Sequence, residues 1–326
     1  MPQRRERILV TGGAGFIGSH LVDLLLERPQ TDVTVLDKLT YAGSRSNLEH
    51  HEPDPRYRFV LGDVADAGAV AELVEASDRV VHAAAESFVD RSIEDSRAFV
   101  ESNVLGTQVV LEACRELGKP LVYVSTDEVY GSNDGQPFSE QDPMRPRNPY
   151  AASKAGADLL VQSYVTTYGL EVSTARGTNA FGPRQHPEKA IPTFIARALA
   201  ARPIPIYGDG SNRREWLYVR DFVRGIEVVM DEGEPGAVYN VGGGAEMTNL
   251  DLAKRICTDL GADPKLITFV DDRPGHDLAY GLSWDRLRQL GWKPATRFSD
   301  GLAITLAWYR EHQDRLGDML SAGTPA

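Results

Sequence analysis

Tyr150 and Lys154 have the residue types and the spacing for proton transfer. They lie four residues apart in "NPYAASKAG", which places both side chains on one face of a helix. An ammonium beside a phenol favours the phenolate and lowers the tyrosine pKa, so Tyr150 could take a hydroxyl proton while hydride leaves the same carbon. A core tyrosine followed by a surface lysine is the ordinary alternative for this spacing.

"VSTDEVYG" (124–131) contains a second reactive group, two adjacent carboxylates. Asp127 and Glu128 follow an apolar run that ends at Ser125 and Thr126. Repulsion between neighbouring carboxylates raises the pKa of one of them, which would place an acid beside a base. Side chains alternate between the faces of a strand, so both carboxyls reach one site only if the strand ends at Thr126 and the backbone bends there. Otherwise the pair is a polar exit from a strand.

"VTGGAGFIGSH" (10–20) predicts a dinucleotide-binding turn. Gly12, Gly15 and Gly18 lie between the first predicted strand and helix, where glycine lets a pyrophosphate approach the helix amides. Asp37 ends the second predicted strand about 20 residues further on, where an acid holds a ribose diol and repels a 2′-phosphate. NAD is therefore favoured over NADP, although Lys38 weakens the preference. A plain strand–turn–helix is the alternative.

The elements that must position these residues alternate along the first half of the chain. Short β-branched runs are separated by segments of helical periodicity, which predicts a parallel sheet covered by helices on both faces. Asp63, at the end of the third run, is a candidate adenine contact or a strand-end cap. The predicted strands are 7–12, 32–37, 57–63, 79–84, 120–126 and 170–178.

The predicted fold class is α/β, a Rossmann-type doubly wound parallel sheet with a smaller mixed α/β C-terminal substrate lobe. Five prolines between 183 and 205 interrupt the strand–helix alternation. We therefore expect an NAD-binding Rossmann domain over 1–182, with a return to its sheet around 217–244 through "AVYNVGG". The smaller lobe is expected over 183–326.

Composition limits the partners of this chain. Its 326 residues carry a formal net charge of −12, which argues against nucleic acid and anionic membranes. Cys114 and Cys257 cannot form a disulfide framework and lack metal-ligand spacing, so we expect a cytoplasmic protein without a metal. The N-terminal apolar run is too short for a signal peptide, and the sequence lacks a run of about 18 apolar residues that could span a membrane.

These motifs together resemble the extended short-chain dehydrogenases/reductases, and more closely the dTDP-glucose 4,6-dehydratases. The broad resemblance rests on GxxGxxG at 12–18, on Thr126 and on the Tyr150/Lys154 pair, and the closer one on "STDEVYG" (125–131). Further matching stretches run nearly end to end: "DKLTYAG" (37–43), "AAES" with "VDRSI" (84–93), "NPYAASKAG" (148–156), "HPEKAIP" (186–192), "PIYGDGSNRREWLYVRD" (205–221) and "RPGHD" (273–277).

The resemblance implies an NAD-dependent hydro-lyase that acts on a nucleoside-diphosphate glucose, most closely dTDP-glucose. The sugar is oxidised at C4, loses water across C5–C6 and receives the hydride at C6, which gives a 4-keto-6-deoxy sugar and regenerates tightly bound NAD⁺. By this resemblance Asp127 is the acid and Glu128 the base of the elimination. Tyr150 takes the 4-hydroxyl proton, Lys154 holds Tyr150 and the nicotinamide ribose, and Thr126 binds the 4-oxygen.

The resemblance also implies the ligand contacts. Arginine suits the diphosphate because its donors are bidentate, although a solvated surface charge is the alternative for each cation alone. The implied cofactor-binding residues are Gly12, Gly15, Phe16, Ile17, Gly18, Asp37, Lys38, Asp63, Val64, Ala83, Ala84, Ser87, Tyr150 and Lys154. The implied substrate-binding residues are Ser87, Asp90, Thr126, Asn179, Glu188, Lys189, Pro205, Tyr207, Arg214, Asn249, Arg273 and His276. A salt bridge between Asp90 and Arg91 is the alternative for Asp90.

The sequence departs from the family at three places. Phe88 replaces a usual His, Ala180 and Phe181 replace Asn-Tyr, and an Arg common near Leu278 and Ala279 is missing. These departures leave the nucleotide base and any sugar modification open.

Three other interpretations remain for the function. A UDP-glucose 4-epimerase does not need the carboxylate pair, and a UDP-glucuronate decarboxylase typically has Ser in place of Asp127. A catalytically silent nucleotide-binding regulator would be expected to lose Tyr150, Lys154 or Asp127.

The resemblance also implies an assembly. Relatives are usually homodimers that pack two long helices, here about 95–117 and 149–168.

Overall fold

The computed structural model describes residues 4–133, 135–272, 275–279 and 281–316. Its main element is a seven-stranded sheet in the spatial order β3-β2-β1-β4-β5-β6-β10, with every neighbouring pair parallel. The strands of the chain are β1 (Glu6–Thr11), β2 (Thr31–Asp37), β3 (Tyr57–Leu61), β4 (Arg79–His82), β5 (Leu121–Thr126), β6 (Val172–Gly177), β7 (Asn179–Phe181), β8 (Ile204–Tyr207), β9 (Arg213–Tyr218), β10 (Val238–Val241), β11 (Ala245–Thr248) and β12 (Ile267–Val270).

Helices cover both faces of this sheet, which is why its strands are apolar on both sides. Ile8 and Val10 belong to the core beneath one set of helices, whereas Leu9 between them belongs to the core on the opposite face. The helices are α1 (Phe16–Leu26), α2 (Ala67–Glu75), α3 (Val89–Glu94), α4 (Arg97–Phe99), α5 (Gly106–Leu117), α6 (Pro149–Tyr168), α7 (Ala190–Leu199), α8 (Val219–Glu232), α9 (Asn249–Leu260), α10 (Asp285–Gln289) and α11 (Phe298–Glu311).

The predicted fold class is confirmed, and the strand order places the site. From β1 the chain continues to β2 and β3 on one side, and later to β4, β5 and β6 on the other. In open parallel sheets a ligand crevice forms where the order reverses, outside the carboxyl ends of the strands. The crevice is therefore expected beyond Thr11 and His82, the last residues of β1 and β4.

A smaller lobe adjoins the carboxyl edge of the sheet. It contains the mixed sheet β11-β9-β7 and the parallel pair β12-β8, packed with α7, α9 and α11. The "AVYNVGG" segment supplies β10, which pairs in parallel with β6 in the main sheet. The division of the chain into 1–182 and 183–326 stays a prediction.

The helical region around residue 100 differs from a regular helix. The predicted helix over 95–117 consists of α4, a π-helical segment (Val100–Leu105) and α5. π-Helical turns widen the backbone and occur often at functional sites. This one carries Ser102 and Asn103, whose polar side chains bond to residues at the carboxyl edge of the sheet. Among the described residues, none of the helices has both the length and the apolar character needed to cross a bilayer.

Candidate active site

A cavity of about 1290 Å³ opens at the carboxyl ends of the main strands and extends to the smaller lobe. It brings together residues predicted from widely separated motifs. Asp63 is not among the lining residues, and Arg273 lies outside the described residues. The predicted residues that line the cavity are Gly12, Gly15, Phe16, Ile17, Gly18, Asp37, Lys38, Val64, Ala83, Ala84, Ser87, Asp90, Thr126, Asp127, Glu128, Tyr150, Lys154, Asn179, Glu188, Lys189, Pro205, Tyr207, Arg214, Asn249 and His276.

The glycine turn after β1 fits a bound pyrophosphate. Gly12 has φ +72°, and a Cβ there would lie 2.6 Å from Ala84 Cα, so only glycine lets these two backbones meet. A Cβ on Gly18 would overlap the carbonyl oxygen of Gly12. Gly15 precedes α1 and faces the cavity, and the first turn of α1 consists of uncharged residues. Its amides and helix dipole are therefore available to an anion.

Asp37 and Lys38 lie at the carboxyl end of β2. Asp37 accepts hydrogen bonds from the amides of Ala14 (3.0 Å) and Leu39 (2.8 Å), and burial raises the pKa of its carboxyl. Lys38 Nζ donates to Ser102 Oγ (2.6 Å) and lies 3.5 Å from Asp63 Oδ2. The Lys38 ammonium therefore contacts the π-helical segment and Asp63. It is not left unpaired beside the Asp37 carboxylate.

Asp63 behaves in this structure as a turn residue. Its Oδ1 accepts from the amide of Ala65 (3.0 Å) and its Oδ2 pairs with Lys38. These contacts match the alternative of a strand-end cap. A contact between Asp63 and an adenine stays a prediction.

The backbone bends where β5 ends, as the carboxylate pair requires. β5 ends at Thr126, and a short 3₁₀ helix (Asp127–Tyr130) follows immediately. Thr126 Oγ1 accepts from the amide of Glu128 (3.3 Å) and so caps this turn. Both Asp127 and Glu128 therefore line the same cavity, so the condition that strand alternation sets for a shared site is met.

The two carboxyls have different surroundings. Asp127 is 2% exposed and accepts hydrogen bonds from the hydroxyls of Thr126 (3.2 Å) and Thr178 (3.1 Å). Burial is the main cause that raises the pKa of Asp127 well above its usual value, and the charge of Glu128 adds to it. Glu128 is only partly buried and accepts from Asn148 Nδ2 (3.3 Å). The sequence indicated repulsion as the cause, whereas the structure gives burial the larger part.

Tyr150 and Lys154 face the cavity from α6. Asn148 caps this helix through a hydrogen bond from the Ala151 amide (2.8 Å), and Pro149 occupies its first position. Lys154 Nζ donates to the carbonyl of Val124 (2.8 Å), and burial lowers the pKa of Lys154 to about 7. Lys154 is thus fixed against β5.

The protein groups around Tyr150 act against the lowering of its pKa that the Lys154 ammonium was expected to cause. Tyr150 is 8% exposed, and burial raises its pKa well above the usual value. The negative charges of Glu128 and Asp127 add to the increase, and the hydrogen bond with Thr126 opposes it. The Lys154 ammonium, which was expected to lower this pKa, bonds to a β5 carbonyl.

The wall of the cavity formed by α3 and the residues before α7 contains a compact ionic cluster. Arg91 lies 3.9 Å above the ring of Tyr41, and its Nε is 3.3 Å from Glu188 Oε2. Arg91 thus pairs with Glu188, so a salt bridge to Asp90 is not needed to account for this arginine. Burial raises the pKa of Glu188 to about 7. Lys189 Nζ donates to the carbonyl of Ser87 (2.6 Å).

Polar residues of the smaller lobe complete the far wall. Arg214 is 5% exposed and donates to the carbonyl oxygens of Arg213 (2.7 Å) and Asp277 (3.0 Å). His276 Nδ1 lies 2.6 Å from Asp272 Oδ1. These side chains are held by the protein at the cavity edge, which suits recognition of a charged ligand.

The comparisons with known proteins cover nearly the whole chain. The model of the GDP-mannose 4,6-dehydratase family matches residues 9–305. A dTDP-glucose 4,6-dehydratase of Actinoplanes sp. is 48% identical over 316 residues, which are 94% of this chain and 98% of that protein. The chain belongs to the dTDP-glucose 4,6-dehydratase family.

Two further proteins are similar to this chain over nearly its whole length. The low-salt glycan biosynthesis protein Agl12 of Haloferax volcanii is 49% identical over 93% of this chain and 98% of that protein. The crystal structure of the dTDP-glucose 4,6-dehydratase DesIV of Streptomyces venezuelae, with NAD bound, superposes with a TM-score of 0.93. Its sequence identity is 50%, with 94% of this chain and 98% of that chain covered.

The departures from the dehydratase pattern have separate structural settings. Phe88 lines the cavity, with its ring 5.7 Å from Lys189 Nζ. The carbonyl of Ala180 accepts from Gln185, and Phe181 is fully buried in the core of the smaller lobe. Leu278 is 65% exposed, and the Ala279 carbonyl accepts from the Asn133 amide.

Several cavity residues of this dehydratase family member were missed from the sequence. Thr178 directly follows β6, so the rule that ligands meet strand ends could have found it. Tyr41 and Arg91 lie inside stretches that match the family but carry no signal of their own pairing. Glu215 lies behind the lining residues, is buried, and accepts from the amides of Gly244 (2.7 Å) and Leu282 (3.0 Å). The negative charge of Glu215 also raises the pKa of Asp127. The two residues are 88 positions apart in the sequence, so no local pattern indicates this effect.

One group of potential metal ligands lies apart from the residues that line the cavity. Asp23 Oδ1 accepts hydrogen bonds from the rings of His50 (2.9 Å) and His51 (2.8 Å). The second Asp23 oxygen pairs with Arg184. Both carboxylate oxygens therefore have protein donors, and this cluster is explained by hydrogen bonding.

Proposed function

We propose that this protein converts dTDP-glucose to the 4-keto-6-deoxy sugar by oxidation at C4, elimination of water across C5–C6 and return of hydride to C6. The observation that carries the proposal is the placement of Asp127 and Glu128 in one cavity with Tyr150, Lys154 and the glycine turn. Relatives named dTDP-glucose 4,6-dehydratase support it, among them proteins of Streptomyces niveus and Streptomyces griseus, each 47% identical.

NAD is the proposed cofactor, and the residues present fit it. The glycine turn would receive the pyrophosphate, and Asp37 would hold a ribose diol. The nicotinamide supplies a reversible hydride acceptor when NAD is bound. Phe16, Ile17, Val64, Ala83 and other lining residues would enclose the dinucleotide. The structural neighbours DesIV and a Bacillus anthracis dTDP-glucose 4,6-dehydratase were both crystallised with NAD.

The oxidation needs a base at the 4-hydroxyl. Tyr150 is proposed to take that proton, with Thr126 hydrogen-bonded to the 4-oxygen. The raised pKa of Tyr150 means that the phenolate must gain stabilisation when the cavity is filled. Lys154, fixed by the Val124 carbonyl, would supply a positive charge and orient the ribose.

The elimination needs an acid at the 6-hydroxyl and a base at C5. Asp127 suits the acid because burial raises its pKa and so favours the protonated form, and donation of its proton lets the hydroxyl leave as water. Glu128 is less buried and suits the base that removes the C5 proton. An epimerase would need neither group, so the buried acid favours the dehydratase over that alternative.

Recognition of the sugar nucleotide is proposed for residues of both lobes. Ser87, Asp90 and Asn179 would approach the sugar, and Glu188 and Lys189 would approach the sugar and phosphates. Arg214 and Arg273 would hold the diphosphate, while Asn249 and His276 would contact the nucleotide. Pro205 and Tyr207 would line the substrate-binding part of the cavity.

The function can be tested by incubating the purified protein with dTDP-glucose without added NAD⁺. We expect the alkali-induced absorbance of a 4-keto sugar, and parallel samples with UDP-, GDP- and CDP-glucose report the choice of nucleotide. The Asp127→Asn variant serves as the matched control. Absence of the keto signal with all four sugar nucleotides, also after NAD⁺ is added, would contradict the proposal; a galactose product from UDP-glucose would support an epimerase.

We also infer the organisation of the chain and its compartment. Residues 1–182 with the return at 217–244 would form the NAD-binding domain, and 183–326 the sugar-nucleotide-binding lobe. Cys114 and Cys257 are buried, unpaired thiols, which suits a reducing cytoplasm.

A homodimer is proposed through the helices beside the cavity. Large apolar side chains are exposed on both of them: Val100 (52%) and Leu105 (48%) around the π-helical segment, Leu159 (55%) and Tyr168 (56%) on α6. Exposed apolar side chains gathered on neighbouring helices are typical of a contact surface. A second copy of the chain would pair these helices into a four-helix interface.

We expect the wild-type protein to have the mass of two chains in light scattering. Leu159→Arg should give the mass of one chain, because a buried unpaired charge is strongly unfavourable. Ile304→Arg on α11, a residue also exposed (48%), is the matched control and should leave the mass unchanged. Equal masses for wild type and Leu159→Arg would refute this interface.

A further inference from the structure

A chain of buried hydrogen bonds runs behind the cavity through His82. This residue ends β4 and is 1% exposed. Its Nδ1 lies 2.7 Å from Thr11 Oγ1 at the end of β1, and its Nε2 lies 3.0 Å from Thr107 Oγ1 in the first turn of α5. One imidazole therefore joins two central strands to a helix on the face of the sheet.

Only one assignment of donors and acceptors is consistent along this chain of hydrogen bonds. The Thr107 hydroxyl donates to the carbonyl of Asn103 (2.6 Å), so Thr107 Oγ1 accepts from His82 Nε2–H. Burial lowers the pKa of His82 to about 3, so the ring is neutral and Nδ1 accepts from the Thr11 hydroxyl. Thr11 Oγ1 in turn accepts from the Ala84 amide (3.3 Å). Every polar atom along this path has a partner.

The two ends of the chain are the two halves of the candidate active site. At one end Ala84 packs against Gly12 in the dinucleotide turn, the contact that excludes a Cβ on Gly12. At the other end Asn103 Nδ2 donates to Ser153 Oγ (2.8 Å), and the Ser153 hydroxyl donates to the carbonyl of Tyr150 (2.7 Å). The path therefore connects the turn after β1 with the first turns of α6.

A second contact of His82 leads to the lysine. Its ring lies beside that of Tyr123, with centroids 5.9 Å apart, and Lys154 Nζ lies 4.4 Å from the centroid of the same Tyr123 ring. A neutral imidazole adds no charge next to Lys154. Displacement of His82 would therefore disturb the tyrosine through the hydrogen bonds and the lysine through Tyr123.

We propose that His82 is a positioning residue that fixes Tyr150 and Lys154 relative to the dinucleotide turn. The proposal rests on the proposed function of those two residues. His82 lies behind the residues that line the cavity and touches no reacting group. His82 would set the distance and orientation between the hydride acceptor and the base. Reaction rates are highly sensitive to both quantities.

The tautomer of His82 gives a direct test in the full-length protein with ¹⁵N-labelled histidine. His20 is expected to have a neutral ring protonated at Nε2, because its Nε2 donates to the Pro183 carbonyl (2.9 Å) and burial lowers its pKa to about 4. Among the seven histidines, His82 should have the same tautomer around neutral pH, and its Nε2 proton is recognised by its response to substitution at Thr107. Thr107→Val removes the acceptor of that proton at equal volume, whereas Thr107→Ser keeps it. The Nε2–H signal should vanish or move in the valine variant and persist in the serine variant. A wild-type His82 protonated at Nδ1, or titrating near neutral pH, overturns the proposal.

Single-turnover kinetics test the positioning itself. With saturating NAD⁺ and dTDP-glucose, Thr107→Val should reduce cofactor about tenfold more slowly than wild type at unchanged affinity for the sugar nucleotide, because misorientation affects the rate and not binding. Thr107→Ser should retain the wild-type rate. Equal rates for Thr107→Val and wild type refute positioning.

The outcomes separate this proposal from the proposed function. Failure of the wild-type protein to reduce cofactor with any sugar nucleotide refutes the function, while the tautomer still tests the hydrogen-bond chain. If Thr107→Val does not fold, His82→Gln replaces it, because glutamine retains one donor and one acceptor. A wild-type rate in His82→Gln with a lost rate in His82→Leu supports positioning by hydrogen bonds, and equal rates in both overturn it.

Discussion

Replacing Asp127 with asparagine is expected to stop the reaction after the oxidation. The amide cannot donate the proton that the 6-hydroxyl needs to leave, so the elimination should slow by about 10²- to 10⁴-fold, the usual contribution of a general acid. Tyr150 and Lys154 are unchanged, so hydride transfer should survive. The near-ultraviolet absorbance of reduced nicotinamide should therefore accumulate during a single turnover, while the keto-sugar product forms slowly.

Asp127→Asn should also stabilise the protein at neutral pH. The folded-state pKa of Asp127 lies above its value of 3.8 in the unfolded chain. Above pH 3.8 the unfolded state loses this proton first, so the free energy of unfolding falls as pH rises toward the folded-state pKa. Asparagine removes that dependence. Urea unfolding at several pH values measures it, with Asp142→Asn, on the partly exposed Ser139–Asp142 turn, as a control. Full turnover by Asp127→Asn would refute its role as acid.

Replacing Tyr150 with phenylalanine is expected to stop the reaction before any hydride moves. The hydroxyl that takes the proton is lost, so cofactor reduction should slow by about 10²- to 10⁴-fold. The ring keeps its contact with Phe99, so folding should be retained. Stopped-flow absorbance of reduced nicotinamide distinguishes this variant from Asp127→Asn, because Tyr150→Phe should accumulate neither reduced cofactor nor keto sugar.

The pH dependence of the two steps should have opposite signs. The pKa of Tyr150 is raised, so the oxidation should accelerate as rising pH produces more phenolate. The pKa of Asp127 is raised as well, but its protonated form is the reactive one, so the elimination should slow as pH rises. Tyr168→Phe on the same helix, with its side chain 56% exposed, is the control and should match wild type. Reduction by Tyr150→Phe at the wild-type rate would exclude it as the base.

The sequence was sufficient for features that local patterns encode. Strand–helix alternation predicted the parallel sheet, and the rule that ligands bind at the carboxyl edge of such sheets brought Asp37, Thr126 and Asn179 to one cavity. Side-chain alternation alone showed that the two carboxyls could share a site only if the chain bends after Thr126. Each of these inferences needs only neighbouring residues or one general rule of sheet geometry.

The sequence was insufficient where long-range burial decides the chemistry. The Tyr150 pKa is raised because the phenol is enclosed, and no spacing of residues reveals that depth. Thr178 reaches Asp127 across 51 positions, and Arg91 pairs with Glu188 from a distant part of the sequence. His82 stands in an ordinary apolar strand, so its part in a hydrogen-bond chain emerges only after β1, β4 and α5 are assembled.

The bend at the end of β5 has a consequence for redesign of this scaffold. Within five residues, β5 and its bend supply the Val124 carbonyl that holds Lys154, the Thr126 hydroxyl, and both carboxyls. A one-residue shift in strand register moves every side chain to the opposite face. Oxidation and elimination therefore depend on the same strand register, and transplanting the Asp-Glu pair into an epimerase would require its strand end and helix position as well as the two side chains.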